Sequence, residues 1–372
     1  MQRIILCAFA VAFLITASFS AKAQFGGGSG TELYPYLIED INHLEALADS
    51  VNGDRTALWN SRHYKLTADI TDSLRKPIGI RTTALLRPFC GSFDGNGYLI
   101  CLAIDNSNTD LFYVGAFGYV TNGEIKNLTV CGYVNHNKAM GNNVAGGIVG
   151  SGWSFSSHSY KFKITNCINM ADVNGYDAGG IVGAMADGFT IENCINVGNI
   201  TGYHAGGFIG CSYSAGFTIN ECANYGYIKG NIVGGFATEN SYPTRKFNGI
   251  IQNSINTGVV EGNANFTGAI LGGSNYPLNN ITTITNCHYD GQMCIYSGIN
   301  IQVDVAGQID AHLTRNMVGD KLSSLLGTTN WTFVGDDTDP ITERLYPQIK
   351  SLDHTEASLV GASPIFLFPG DD

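Results

Sequence analysis

The chain carries ten cysteines and eight histidines, the residue types best suited to nucleophilic, redox or metal chemistry. Their spacing argues against all three. No C-x-x-C pair occurs and no two histidines stand at ligand spacing. G-x-S-x-G, H-E-x-x-H, Walker and calcium-nonapeptide signatures are also missing. The run Asp336-Asp337-Thr338-Asp339 offers oxygen ligands for a hard cation, but a solvated loop ahead of Pro340 is its plainer reading. What the cysteines do instead is recur. Cys167, Cys194 and Cys222 follow at steps of 27 and 28 residues, and Ser254 stands 32 residues further on.

Each of these residues sits in the same small block. Ile164-Thr165-Asn166-Cys167-Ile168-Asn169 returns as Ile191-Glu192-Asn193-Cys194-Ile195-Asn196 and as Ile219-Asn220-Glu221-Cys222-Ala223-Asn224. A second register, Gly146-Gly147-Ile148-Val149-Gly150, returns at Gly179 and Gly206. A third holds Val173, Ile200, Ile228 and Val260, each with a glycine two residues later. A period near 28 without helical spacing predicts the coils of a parallel β-helix, with about three short strands per coil. Successive coils then lie about 4.8 Å apart and like stacks on like. Ile164, Ile191 and Ile219 form one predicted inward column, and Cys167, Cys194 and Cys222 another. The two are three residues apart, so an Asn corner in the left-handed conformation must re-aim the chain between them. On this reading the thiols are packing groups, with disulfides or a metal site the lesser alternative. Nine cysteines follow the leader, an odd number.

The same register puts Tyr176 and Tyr203 at one position, three residues before their Gly pairs. They should stack about 5 Å apart on neighbouring coils. Exposed rings so spaced suit a sugar polymer, whereas local packing is the plainer reading. Asn143 and Asn231 hold the position in the flanking coils, so the ladder is short.

The chain as a whole divides into four parts. Residues 1–23 read as a cleavable signal peptide: Arg3, an apolar stretch from Ile4 to Ile15, then Ala21-Lys22-Ala23. Residues 24–63 contain an amphipathic helix with apolar residues at 41, 44, 47, 48 and 51, expected to cap the open end of the coil. The β-helix itself is assigned to 64–305. Residues 306–372 form a C-terminal cap and tail, with a helix expected from Ile309 to Leu326 and Trp331 and Tyr346 sealing the far end.

These features resemble secreted and surface proteins carrying the Gly-rich GLUG repeat, of Bacteroides and Gram-positive type. The G-G-I-V-G cores, the N-C-x-N blocks and the entry segment through Phe93-Asp94-Gly95-Asn96-Gly97 carry the likeness, over residues 34–350. The resemblance implies a right-handed β-helix, a surface location and a binding or structural role. It supplies no catalytic residues.

The composition fits an exported binding protein. Charged residues make up 14% of the chain, Gly contributes 47 residues and the net charge is −11. No basic stripe is present for nucleic acid, and after the leader no apolar run is long enough to span a membrane. The expectation is an exported all-β protein, in the extracellular space, on the cell surface or in the periplasm, that binds glycans or host surface or matrix proteins. Neither cofactor nor metal nor catalytic residue is expected. One alternative is a carbohydrate-active β-helix enzyme. Of the acidic pattern that such hydrolases use, however, only Asn108-Thr109-Asp110 is present. The other alternative is an architectural module of a larger surface assembly.

Overall fold

The computed structural model describes residues 24–54, 56, 58–107, 109–137, 143–152, 162–185, 188–213, 216–239, 249–273, 282–299, 307–340, 343–352 and 361–364. The expected leader and Asn108 lie outside them, as does most of the tail beyond residue 352. The described chain is a parallel β-helix closed by a 23-stranded and a 6-stranded ladder. One inward column runs through Tyr36, Tyr64, Phe93, Ile125, Ile164, Ile191, Ile219, Ile251 and Ile284, each the register partner of the next. All but Tyr36 are buried. Each side chain therefore covers the one in the coil below.

From the Phe93 coil onward the corner after this column is left-handed. Asn96, Asn127, Asn166, Asn193, Glu221, Asn253 and Asn286 all have φ between 51° and 53°. Asn tolerates this conformation better than other residues with a Cβ. The turn swings Leu128, Cys167, Cys194, Cys222 and Cys287 inward to full burial. Each thiol then donates to the carbonyl two residues back: Cys167 to Thr165 at 3.2 Å, Cys194 to Glu192 at 3.2 Å and Cys222 to Asn220 at 3.3 Å. Ser254 makes the same bond to Gln252 at 2.7 Å, which explains why a hydroxyl is accepted in an otherwise apolar column.

Two residues later lies a second ladder, which the spacing did not single out. The buried amides of Asn169, Asn196, Asn224 and Asn256 are joined coil to coil, each Nδ2 donating to the next Oδ1 at 2.8 Å. They lie against the second glycine of each Gly pair. A Cβ on Gly180 would stand 2.2 Å from the Gly207 carbonyl and 2.3 Å from Asn196 Oδ1. The glycines are needed because amide and backbone occupy the space a side chain would fill.

Coil pairing extends beyond the expected bounds, from Tyr36–Ile38 to Ile309–His312. The helix Ile41–Gly53 is N-capped by Asp40, which accepts from the His43 amide at 3.0 Å, and buries Leu44, Leu47, Ala48 and Val51 on the core. It lies between the first two paired strands rather than ahead of them. No helix spans Ile309 to Leu326. That segment is the strand Ile309–His312, one 3-10 turn and the short helix Ser323–Leu326. Ile309–His312 pairs with the last coil, and backbone pairing there outweighs the helical spacing. The C-terminal region also lies along the flank. Met317, Val318, Leu322, Trp331, Tyr346 and Ile349 pack on the outward-facing Ile168, Ile195, Ala223 and Ile255. Tyr225 donates to the Pro347 carbonyl at 2.8 Å and Ser351 to Asn166 at 3.1 Å, so the cover crosses several coils.

Cys101 and Cys131 are register partners on adjacent strands and form a disulfide, with their Cα atoms 4.7 Å apart. Reading the cysteines as packing groups missed this pair. The 30-residue step between them is itself one period of the coil, and was the available signal. Cys90, Cys167, Cys194, Cys222 and Cys287 are free thiols.

Candidate functional site

Tyr176 and Tyr203 occur in the strands Asp172–Gly179 and Ile200–Gly206, where Gly175 pairs with Gly202 and Asp177 with His204. This register sets the two rings one above the other, 4.9 Å between centroids and 4° from parallel. They are 45% and 44% exposed, so both rings reach solvent. In the coil below, Asn143 is buried and its carbonyl accepts from the Tyr176 amide at 2.8 Å. The aromatic ladder stops there.

His204 lies behind the platform with its edge to both rings, 5.7 Å from Tyr176 and 5.1 Å from Tyr203. Its Nδ1 donates to Asp177 Oδ1 at 2.7 Å, and the Tyr213 hydroxyl donates to Asp177 Oδ2. Cys211, on the strand Ile209–Ser212 of the smaller ladder, completes the group beside Tyr213. Burial first, then the Cys211 thiol and the Asp177 carboxylate, hold the Tyr213 phenol far above its ordinary range and keep it protonated. One ligand atom each from Asp177, His204 and Cys211 lies within 4.8 Å of the others, and all three residues are buried. In the sequence no two histidines stand at ligand spacing, and nothing there singles out His204. The partners come from the next coil and from across the Gly fold, so no local motif records them.

Aromatic, acidic and histidine side chains elsewhere make structural contacts. Tyr225 anchors the C-terminal cover, and Tyr227 donates to Glu261. In the acidic loop Asp336 accepts from Thr338, Asp337 faces Lys321 and Arg344, and the Asp339 carbonyl accepts from Arg344. His288 and His312 meet with Nδ1 and Nε2 3.0 Å apart.

A concave feature elsewhere was not foreseen. A cleft of about 790 Å³ near the N-terminal end is lined by Tyr34, His63, Lys65, Asp94, Glu124 and Lys126 among others. Lys126 and Glu124 pair there at 3.0 Å, which partly neutralises the wall.

No family profile matches the chain. Two curated relatives match limited stretches. A "Putative Gly-rich membrane protein" of Evansella cellulosilytica is 32% identical over 136 residues, 33% of this chain and 14% of its own length. "Halomucin" of Haloquadratum walsbyi is 30% identical over 115 residues, 28% of this chain and 1% of its own. The chain therefore spans a small part of the length of either. Among solved structures, one from Bacteroides ovatus described as a putative immunoglobulin A1 protease superposes with a TM-score of 0.63. It covers 88% of this chain and 96% of its own at 20% identity. At that identity the shared property is the β-helix fold.

Proposed function

We propose that the chain is an exported surface β-helix of the GLUG-repeat kind, and that it binds an extended glycan on the platform formed by Tyr176 and Tyr203. The observation that carries this reading is the parallel, exposed stack of the two rings at 4.9 Å. Sugar rings present an apolar C–H face that packs on an aromatic face, and the β-helix holds both tyrosines on rigid strands. Export rests on the signal-peptide pattern of residues 1–23. Relatives named as a Gly-rich membrane protein and a halomucin are consistent with a cell-surface setting.

The test is an array of glycans and host matrix proteins probed with residues 24–372, with soluble product analysed from the same wells. Retention of a glycan without product, lost in Tyr176→Ala/Tyr203→Ala and kept in the cleft variant Tyr34→Ala, supports the platform. Retention that follows Tyr34 instead moves the site to the cleft. Released product replaces binding with turnover, and silence throughout favours an architectural module.

A further inference from the structure

We propose that Asp177, His204 and Cys211 bind one first-row divalent transition-metal ion of the zinc class. This inference is independent of what docks on the tyrosine platform.

The donor set argues for it. A carboxylate oxygen, an imidazole nitrogen and a thiol sulfur converge within 4.8 Å, close to the ligand separations of a compact coordination sphere. Sulfur and nitrogen together select zinc-like ions over calcium or magnesium, which take oxygen. Charge points the same way. Asp177, His204 and Cys211 are 1%, 4% and 0% exposed, and a carboxylate so deeply placed needs a counter-charge. A dication with one carboxylate, one thiolate and a neutral imidazole leaves the site uncharged; an ion taken on Nδ1 replaces the His204–Asp177 hydrogen bond and leaves the ring proton on Nε2. Binding releases the thiol proton to solvent, and the sulfur lone pair it leaves goes to the metal.

The scaffold is already rigid around the three donors. They stand on the strands Asp172–Gly179, Ile200–Gly206 and Ile209–Ser212, held together where the two ladders meet backbone to backbone. A Cβ on Gly210 would come 2.5 Å from the Ala178 carbonyl carbon, so the strand bearing Cys211 lies directly against the one bearing Asp177. Tyr213, bonded to the second oxygen of Asp177, orients that carboxylate as an outer-shell partner does. Cys211 also differs from the cysteine column inside the coil. Its register partner is Ala184, and it belongs to a separate small cluster with Val144.

The experiment uses residues 24–372, freed of metal by a chelator and titrated with Co²⁺ under reducing, oxygen-free conditions. The expected result is saturation at one ion per chain with a thiolate-to-cobalt charge-transfer band, reversed by Zn²⁺ and untouched by Ca²⁺ or Mg²⁺. Cys211→Ser abolishes the band, and Cys211→Ser and His204→Ala each weaken binding by more than about tenfold. Cys194→Ser and His288→Asn leave both properties unchanged. Zn²⁺-edge X-ray absorption on the wild-type chain needs no variant to fold and should report one sulfur at about 2.3 Å. A folded chain that takes up no ion, or a zinc spectrum without sulfur, overturns the site and leaves a purely hydrogen-bonded network. So does binding that is equal in the wild type and both site variants.

Discussion

The side-chain amide of Asn196 donates to Oδ1 of Asn224, one coil away, at 2.8 Å, with both residues sealed from solvent. Asn196 also donates to the Gly198 carbonyl at 3.1 Å and accepts from Asn169 at 2.8 Å. Asn196→Ala removes a donor that Asn224 uses and an acceptor that Asn169 uses, inside a space water does not reach. Unsatisfied buried polar groups cost about 1–3 kcal/mol each, so a loss of about 3 kcal/mol is expected in urea unfolding. Asn174 makes the analogous coil-to-coil bond to Asn135 in an exposed position, and Asn174→Ala should cost less than about 0.5 kcal/mol. Equal losses at the two sites would show that burial of the ladder is not what gives it weight.

The cysteine column makes a different prediction at Cys194. Ser254 already occupies the column and satisfies its hydroxyl on the Gln252 carbonyl, and Cys194 has the equivalent acceptor at Glu192. Cys194→Ser should therefore fold, with a loss of about 1 kcal/mol. Cys194→Asp places a carboxylate among Cys167, Cys222 and the isoleucine column with no cation to meet it. It should fail to fold or lose more than about 3 kcal/mol in thermal or urea melts. Burial raises the thiol pKa of Cys194, so the native wild-type thiol should also resist alkylation at neutral pH.

Most of the coil was legible because its period is carried by side chains that stack on themselves. Ile164, Ile191 and Ile219 share a register, and the Asn before Cys167 and Cys194 is what a left-handed corner favours, although Glu221 takes the same conformation before Cys222. The separation of Tyr176 from Tyr203 follows from the same arithmetic. What stands behind them does not. His204 meets Asp177 from one coil below and Cys211 from across the Gly fold, contacts fixed by how two ladders are laid together. The C-terminal region was illegible for a related reason. Its apolar residues complement Ile168 and Ile195, whose outward direction is set by the corner before them, and no periodicity within 306–352 encodes that partner.

The disulfide lends itself to a direct test. Cys101 and Cys131 enclose a loop of 30 residues, which in the chain-entropy account corresponds to about 3.5 kcal/mol of stability. Cys101→Ala/Cys131→Ala should melt lower by that amount, and added reductant should lower the wild type but leave the variant unmoved. Peptide mapping without reduction should recover residues 101 and 131 in one linked fragment. Recovery of Cys131 as a free thiol from protein purified under oxidising conditions would contradict the pairing.

Acid should weaken the last coils through His288. Its Nε2 donates to Asn286 Oδ1 at 3.0 Å and its Nδ1 faces His312 Nε2 at 3.0 Å, so the neutral ring satisfies both neighbours. A second proton would have to enter between the two histidines. Burial, then His312, lowers the His288 pKa to about 4, while Asp310 opposes the shift. A folded-state value below the unfolded value of about 6.5 means the unfolded chain takes the proton first as pH falls. The contribution to stability is fully present above the unfolded pKa and is lost between about pH 6.5 and pH 4. Its size is about 2 kcal/mol by pH 5 and about 3 kcal/mol by pH 4. His288→Asn removes the titrating ring, so the stability difference between variant and wild type should shrink by those amounts on acidification. Urea unfolding of both proteins at pH 7, 5 and 4 measures it, and a difference that does not change with pH would show that His288 is not the group taking up the proton.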